Sequence, residues 1–273
     1  MIDEMKKDGF RRVPVLLYHK IGPAPAGVRN PRSWVTPERF EWQMGLLARW
    51  GYRAITPEAL AAHYRGEKVA APRSLLITFD DGSRSCYTDA LPILNAVGFT
   101  ATVFVVSEQL GGRAGWDRNT SHAGDDLLML KEIQELIRSG WSAGAHSMTH
   151  ARLTVLSLEE AEREIRESKL RLEKVLSIPI RTFAYPYGAF TPEHAGIVRL
   201  AGYEIGFTTH YPELGLSAVR RENIHGEVHA LRFLWRFQRA KRGAFQNVEA
   251  YDHSSPRRPQ MDRPGRRRRD ALP

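Results

Sequence analysis

Short apolar runs alternate with amphipathic stretches along most of this chain. Residues 13–18 (VPVLLY), 75–79 (LLITF), 99–106, 141–145, 182–185 and 203–208 are runs of strand length. Between them, apolar residues recur every three or four positions. Phe40, Met44 and Leu47 do so after Thr36-Pro37-Glu38 and before Gly51. That tripeptide predicts a helix start: a capping hydroxyl, a proline whose missing N–H costs nothing there, and an acid near the positive end of the dipole. The same signal recurs at Thr56-Pro57-Glu58 and Thr191-Pro192-Glu193. Leu127, Leu130, Ile133 and Ile137 form a helical stripe closed by Gly140, and the segment up to Val97 reads as a helix closed by Gly98. Ser157 and Glu160 predict a capping box ahead of a helix carrying Ala161, Ile165, Leu172 and Leu176.

Strands alternating with helices predict an α/β fold with a mainly parallel sheet, open or closed into a barrel. No low-complexity linker precedes residue 240 and no internal repeat is evident, so residues 1–240 read as one domain. In either architecture reactive groups gather at the carboxyl ends of the strands. The residues to inspect are therefore the polar ones that directly follow the apolar runs.

Composition narrows the classes. Hydrophobic residues make up 42% of the 273, enough for a core, but no stretch nears the ~20 consecutive apolar residues of a spanning helix. The single cysteine, Cys86, excludes an internal disulfide and a cysteine-based zinc site. The first residues, MIDEMKKDGFRRVPVLLYHKIG, carry charges where a secretory leader is apolar. The expected address is cytoplasmic for the chain as written, and extracytoplasmic if the start lies upstream.

The net charge of +9 is concentrated at one end. Residues 239–273 hold ten Lys or Arg against four Asp or Glu, which is six of the nine excess charges. This basic stretch, from about 241 to 273, is poor in apolar residues and is expected to be disordered. It reads either as an electrostatic tether to an anionic surface or as a solvated terminus. The body of the chain is nearly neutral, so no specific nucleic-acid partner is expected.

Four groups follow apolar runs. Thr78-Phe79-Asp80-Asp81-Gly82 ends the most apolar one. Adjacent carboxylates repel and lose hydration there unless a cation or donors compensate; a helix N-cap is the other reading. His146-Ser147-Met148-Thr149-His150 places two histidines four apart, which can point at one centre if the chain turns helically, or can be unrelated surface groups. Combined with the Asp pair, Asp81, His146 and His150 make three ligands with positions left open, the layout of a catalytic metal site. Phe183-Ala184-Tyr185-Pro186-Tyr187-Gly188 contains a Pro-x-Gly turn able to aim a backbone N–H. Leu17-Tyr18-His19 ends the first run, and His19 alone reads as a core histidine.

Together these segments closely resemble the polysaccharide deacetylases, the family 4 carbohydrate esterases, from about residue 13 to 225. TFDDG at 78–82 is similar to the family's first motif and HSMTH at 146–150 to its second. The resemblance implies a distorted, incomplete (β/α) barrel that removes acetyl groups from an N-acetylated polysaccharide or oligosaccharide. It makes Asp80 the general base and gives a divalent metal, usually zinc, to Asp81, His146 and His150. It places the backbone N–H of Tyr187 in the oxyanion hole. The family's acid is a histidine in a Leu-x-His motif, normally late in the domain, but here the late histidines sit in Ile224-His225-Gly226 and Val228-His229. Leu17-Tyr18-His19 fits instead, in the permuted order of the enzymes acting on poly-N-acetylglucosamine, so the acid role goes to His19. Two features depart from the pattern. Ala184 stands where many members have an Arg that orients the base, leaving Arg181 and Arg221 as candidates. The fourth Asp/Trp motif is not evident between Gly188 and Arg220.

Two other readings use the same residues. Two histidines and a carboxylate also describe a non-haem iron site, though a second carboxylate beside the metal has no use there. A catalytically silent sugar-binding domain with a structural metal has no use for Asp80. The absence of a GxSxG elbow argues against a serine hydrolase.

Overall fold

The computed structural model describes residues 12–24, 31–117, 126–209, 212–226 and 228–242. Eight parallel strands form the frame: β1 (Val15–Tyr18), β5 (Ser74–Phe79), β6 (Thr102–Val105), β7 (Ser142–Ala145), β8 (Thr182–Ala184), β9 (Ile205–Thr208), β10 (Val219–Arg220) and β11 (Glu222–Asn223). They are ordered β10-β9-β8-β7-β6-β5-β1-β11. The short β4 (Arg53–Ala54) adds to β5, and β2 (Lys20–Ile21) pairs with β3 (Trp34–Val35).

The two ends of this path are one continuous stretch of chain. β10 pairs with β9, β11 pairs with β1, and only Arg221 separates them. Arg221 N–H donates to Thr208 O at 3.0 Å, and Ile224 N–H donates to Leu17 O at 2.8 Å. The stretch from Val219 to Asn223 thus leans on β9 with its first half and on β1 with its second. The result is a nearly closed (β/α) barrel, as the family resemblance implies and as one of the two architectures that the pattern left open.

Helices cover the outside: α1 (Pro37–Arg49), α2 (Pro57–Tyr64), α3 (Leu91–Ala96), α4 (Leu130–Arg138), α5 (Leu158–Leu176), α6 (Pro192–Leu200) and α7 (Ala230–Ala240). The predicted starts hold: Thr56 Oγ1 accepts from Ala59 N at 3.2 Å, and Ser157 and Glu160 form the capping box. At α6 the reciprocal partner is an imidazole, with Thr191 N–H donating to His194 Nδ1 at 3.0 Å. Three details differ from the pattern. Cys86–Ala90 is a wide π-type turn leading into α3. Leu127 precedes α4, held in a bridge to Ser83. The segment before the basic terminus is helical, because Phe233 and Phe237 of α7 are fully buried, with Phe237 set edge-on to Tyr52 at 4.9 Å. Of the basic stretch expected to be disordered, from about 241 to 273, Lys241 caps α7 and residues 243–273 lie outside the described residues. Among the described residues, no helix is long and apolar enough to cross a membrane.

Strand periodicity decides what the barrel encloses. Successive side chains alternate between faces. Leu75, Ile77 and Phe79 pack with the helices, whereas Leu76 joins Val15, Phe104, Ala184, Ile205, Phe207 and Val219 in a separate interior cluster. Continuing each interior row by two residues reaches the mouth: Val15 leads through Leu17 to His19, Leu76 through Thr78 to Asp80, Gly144 to His146, and Val219 to Arg221. Gly144 is required on this row, since a Cβ there would lie 2.5 Å from Phe104 Cε1 and 2.9 Å from Thr182 Cγ2. Gly144→Ala overfills a fully buried layer, and urea denaturation is expected to show a loss of roughly 1–3 kcal/mol. Unchanged stability would mean that the interior is looser than this packing.

Candidate active site

Asp80 and Asp81 leave β5 together but go to different partners. Asp80 Oδ1 accepts from Arg221 Nη1 at 2.7 Å and Oδ2 from Nη2 at 2.6 Å, a bidentate pair sealed from solvent. The guanidinium lies against Phe104 and Phe207, 5.4 and 5.7 Å from their ring centres, and touches Thr78 Oγ1 at 3.3 Å. Burial pushes the Asp80 carboxyl up, but Arg221 and His146 outweigh it and hold it below the usual carboxylate range. It is therefore ionised at neutral pH.

The backbone turns left-handed at Asp81 (φ 72°) and Gly82 (φ 71°). Asp81 thereby faces two imidazoles: its Oδ1 is 3.6 Å from His146 Nε2 and 3.2 Å from His150 Nε2. Its carboxyl is held well below the ordinary range, because hydrogen bonds to both histidines overcome the cost of burial. His146 donates its Nδ1–H to Ala184 O at 2.8 Å, which leaves the Nε2 lone pair facing Asp81. His146 is raised: burial lowers it, but Asp80 and Asp81 more than offset this. His150 is lowered, chiefly by burial. The ligating atoms of Asp81, His146 and His150 lie within 4.8 Å of one another. Two imidazole nitrogens and a carboxylate oxygen, one nitrogen fixed by a carbonyl, are a donor set that fits a divalent transition ion. Neither Asp is a helix cap.

The rings converge without a helical turn between the histidines. Ser147 (φ 62°) and His150 (φ 66°) are both left-handed, and His150 N–H donates to Ser147 Oγ at 3.0 Å. The rings converge through this folded loop, with centres 4.9 Å apart. Trp116 stacks on His150 at 4.3 Å, and Tyr187 meets it edge-on at 4.8 Å. Tyr187 is itself left-handed (φ 59°), 45% exposed, and covered by the Arg152 guanidinium at 4.2 Å. Gly188 follows it where any side chain would collide with Thr209.

His19 is half-buried at the end of β1, and its positive form would help lower both Asp80 and Asp81. Of the two arginines considered for the place of Ala184, Arg221 reaches Asp80, while Arg181 pairs with Glu204 away from the site. The alternation of Val219 and Arg221 was a usable signal for this. Nothing in the sequence singled out Trp116, because its stacking on His150 depends on how a long loop returns to the mouth.

The polysaccharide deacetylase family model matches residues 67–206. The chain belongs to the polysaccharide deacetylase family. It is an enzyme, a hydrolase of acyl groups on carbohydrate. It is 27% identical over 205 residues to YxkH of Bacillus subtilis strain 168, covering 75% of this chain and 67% of that one. It is 25% identical over 183 residues to the poly-beta-1,6-N-acetyl-D-glucosamine N-deacetylase of Staphylococcus aureus strain MRSA252, covering 64% of this chain. It spans 60% of that relative's length. The solved structure of the Streptococcus pyogenes deacetylase PplD, in complex with acetate, superposes with a TM-score of 0.68 at 26% identity, covering 83% of this chain and 98% of that one. Asp80, Asp81, His146, His150 and Tyr187 lie inside the matched family segment. His19 and Arg221 lie outside it.

Arg221→Met leaves a buried carboxylate without its partner, and a loss of roughly 3–5 kcal/mol is expected in denaturant titrations at pH 7. Because the folded Asp80 is depressed, the pair contributes fully above the unfolded carboxylate value of about 3.9 and loses its contribution as pH falls through the folded one. The gap between wild type and Arg221→Met should therefore shrink in acid. Adding Asp80→Asn should recover part of the loss at neutral pH. Additive losses in the double variant would show that the two side chains are not coupled.

Proposed function

We propose that this chain is a metal-dependent N-deacetylase that hydrolyses the acetamide of N-acetylglucosamine units in a polymer or oligosaccharide. The observation that carries this reading is the separation of the tandem carboxylates: Asp80 is bonded to Arg221, and Asp81 faces His146 and His150. Asp81, His146 and His150 hold a divalent ion, most simply zinc, while Asp80 stays off the ion as a base. When bound, the ion supplies Lewis acidity, raising the acidity of water and polarising the acetyl carbonyl.

Amide hydrolysis then needs three things from the protein. Asp80, ionised and fixed by two hydrogen bonds, takes the proton of the attacking water. The backbone N–H of Tyr187, on the turn beside His150, stabilises the oxyanion. His19 delivers a proton to the departing sugar nitrogen, entering the mouth from β1, the strand that adjoins both β5 and the closing β11. A first-strand histidine thereby fills the place that a late Leu-x-His fills elsewhere in the family. The sugar choice draws on the staphylococcal relative's named activity and on the exposed Tyr187 and Arg152, a face suited to stacking on a sugar ring. A silent binding domain would have no use for a base held in a buried ion pair beside an intact donor set.

The test is acetate release across chitooligosaccharides, poly-N-acetylglucosamine fragments, peptidoglycan and acetylated xylan, with release from the N-acetylglucosamine polymers expected. Release from the xylan alone would overturn the amide assignment. Asp80→Asn removes the base and no ligand, so kcat should fall by ~10²–10⁴-fold while metal content stays at one ion per chain; loss of the ion would mean that the two aspartates have exchanged roles. His19→Ala should lower kcat by ~10²-fold or more and abolish the alkaline limb of the pH profile. A variant that keeps that limb would move the acid role elsewhere, with His225 first in line.

A further inference from the structure

The loop from His146 to His150 carries two of the three proposed donors in a conformation its own sequence does not favour. Left-handed backbone is a minority conformation for any residue but glycine, though less so for Asn, Asp and His, and this loop adopts it twice, at Ser147 and His150. Neighbours must hold it, and the loop's hydrogen bonds show which. On one side, Ser107 N–H donates to Ser147 O at 3.2 Å and Glu108 N–H to Met148 O at 3.0 Å. On the other, the N–H groups of Met148 and Thr149 both donate to Oε2 of Glu164 at 2.9 Å, and the Thr149 hydroxyl donates to Oε1 at 2.7 Å.

Glu164 is 6% exposed, on the same face of α5 as the buried Ala161, Ile165, Ser168 and Leu172. An apolar residue would suit that face for packing alone, since a buried carboxylate is costly unless fully hydrogen-bonded. Its donors come from the ligand loop. The same helix sends Arg171 to Glu108 at 3.0 Å, so α5 also grips the segment that holds the loop's carbonyls.

We propose that Glu164 is a positioning residue: its carboxylate fixes the His146–His150 loop so that both imidazoles meet Asp81. This rests on the reading that Asp81, His146 and His150 hold a divalent ion. Glu164 touches neither ion nor substrate, and its effect is felt through metal affinity. Groups that orient ligands in this way typically govern ~10–100-fold in affinity.

Zinc affinity of the full chain is measured by competition with a chromophoric chelator for wild type, Glu164→Gln, Thr149→Val and Glu132→Gln. Glu132 is an equally buried carboxylate that holds Arg84 and the Met129 N–H at the start of α4. Glu164→Gln should weaken zinc by ~10–100-fold, and the visible spectrum of its cobalt form should change. Thr149→Val, which removes one of the three hydrogen bonds and keeps the carboxylate, should weaken zinc by about threefold or more. Glu132→Gln should lower Tm and leave zinc affinity unchanged. A folded Glu164→Gln variant with wild-type affinity overturns the proposal, as does an equal loss in Glu132→Gln. If Glu164→Gln does not fold, unchanged affinity in Thr149→Val overturns it. A wild-type chain that binds no zinc brings down the metal reading beneath it.

Discussion

The buried pair between Arg221 and Asp80 is the constraint around which the mouth is organised. Asp80 sits two residues past Thr78 on the interior row of β5, where an unpaired carboxylate would lose its hydration. Arg221 comes from the middle of the stretch that closes the barrel, its planar head between Phe104 and Phe207. The two halves of that stretch pair with β9 and β1, so the ion pair and barrel closure reinforce each other. Its neighbour Glu222 points outward and accepts from Arg236 and Arg239 of α7. One residue faces the site and the next anchors the outer helix, a direct use of strand alternation.

This arrangement lets adjacent carboxylates do different work. Arg221 occupies both oxygens of Asp80 and keeps its charge, while His146 Nε2 stands 4.0 Å from Oδ2. The left-handed turn at Asp81 aims the second carboxylate at His146 and His150. Two adjacent carboxylates are thus stabilised differently: Asp80 chiefly by Arg221 with help from His146, and Asp81 by His146 and His150. Backbone geometry supports the rest of the mouth in the same way, with left-handed residues at Ser147, His150 and Tyr187.

Much of this was legible in the sequence because it depends on local rules. Alternating runs and Thr-Pro-Glu starts predicted the (β/α) order, and the polar residues after apolar runs marked Asp80, Asp81, His146, His150 and His19. The two histidine rings do meet, but not through the helical turn that would have brought them together, since spacing does not reveal that Ser147 Oγ and Glu164 hold the loop. Arg221 was one of two candidates, because choosing it required knowing that the last strands close on the first. Trp116 and Glu164 were invisible, as their roles arise from contacts between distant segments. α7 was not singled out at all, because its arginines mask the two buried phenylalanines.

The central claim is that one divalent ion on Asp81, His146 and His150 makes this barrel a deacetylase. It is tested most directly by stripping the chain with a chelator and titrating zinc back while following acetate release from a β-1,6-linked N-acetylglucosamine oligosaccharide. The account predicts no release from the stripped chain and a linear rise that stops at one zinc per chain. Release that survives stripping, or that never returns with zinc or any other divalent ion, would contradict it.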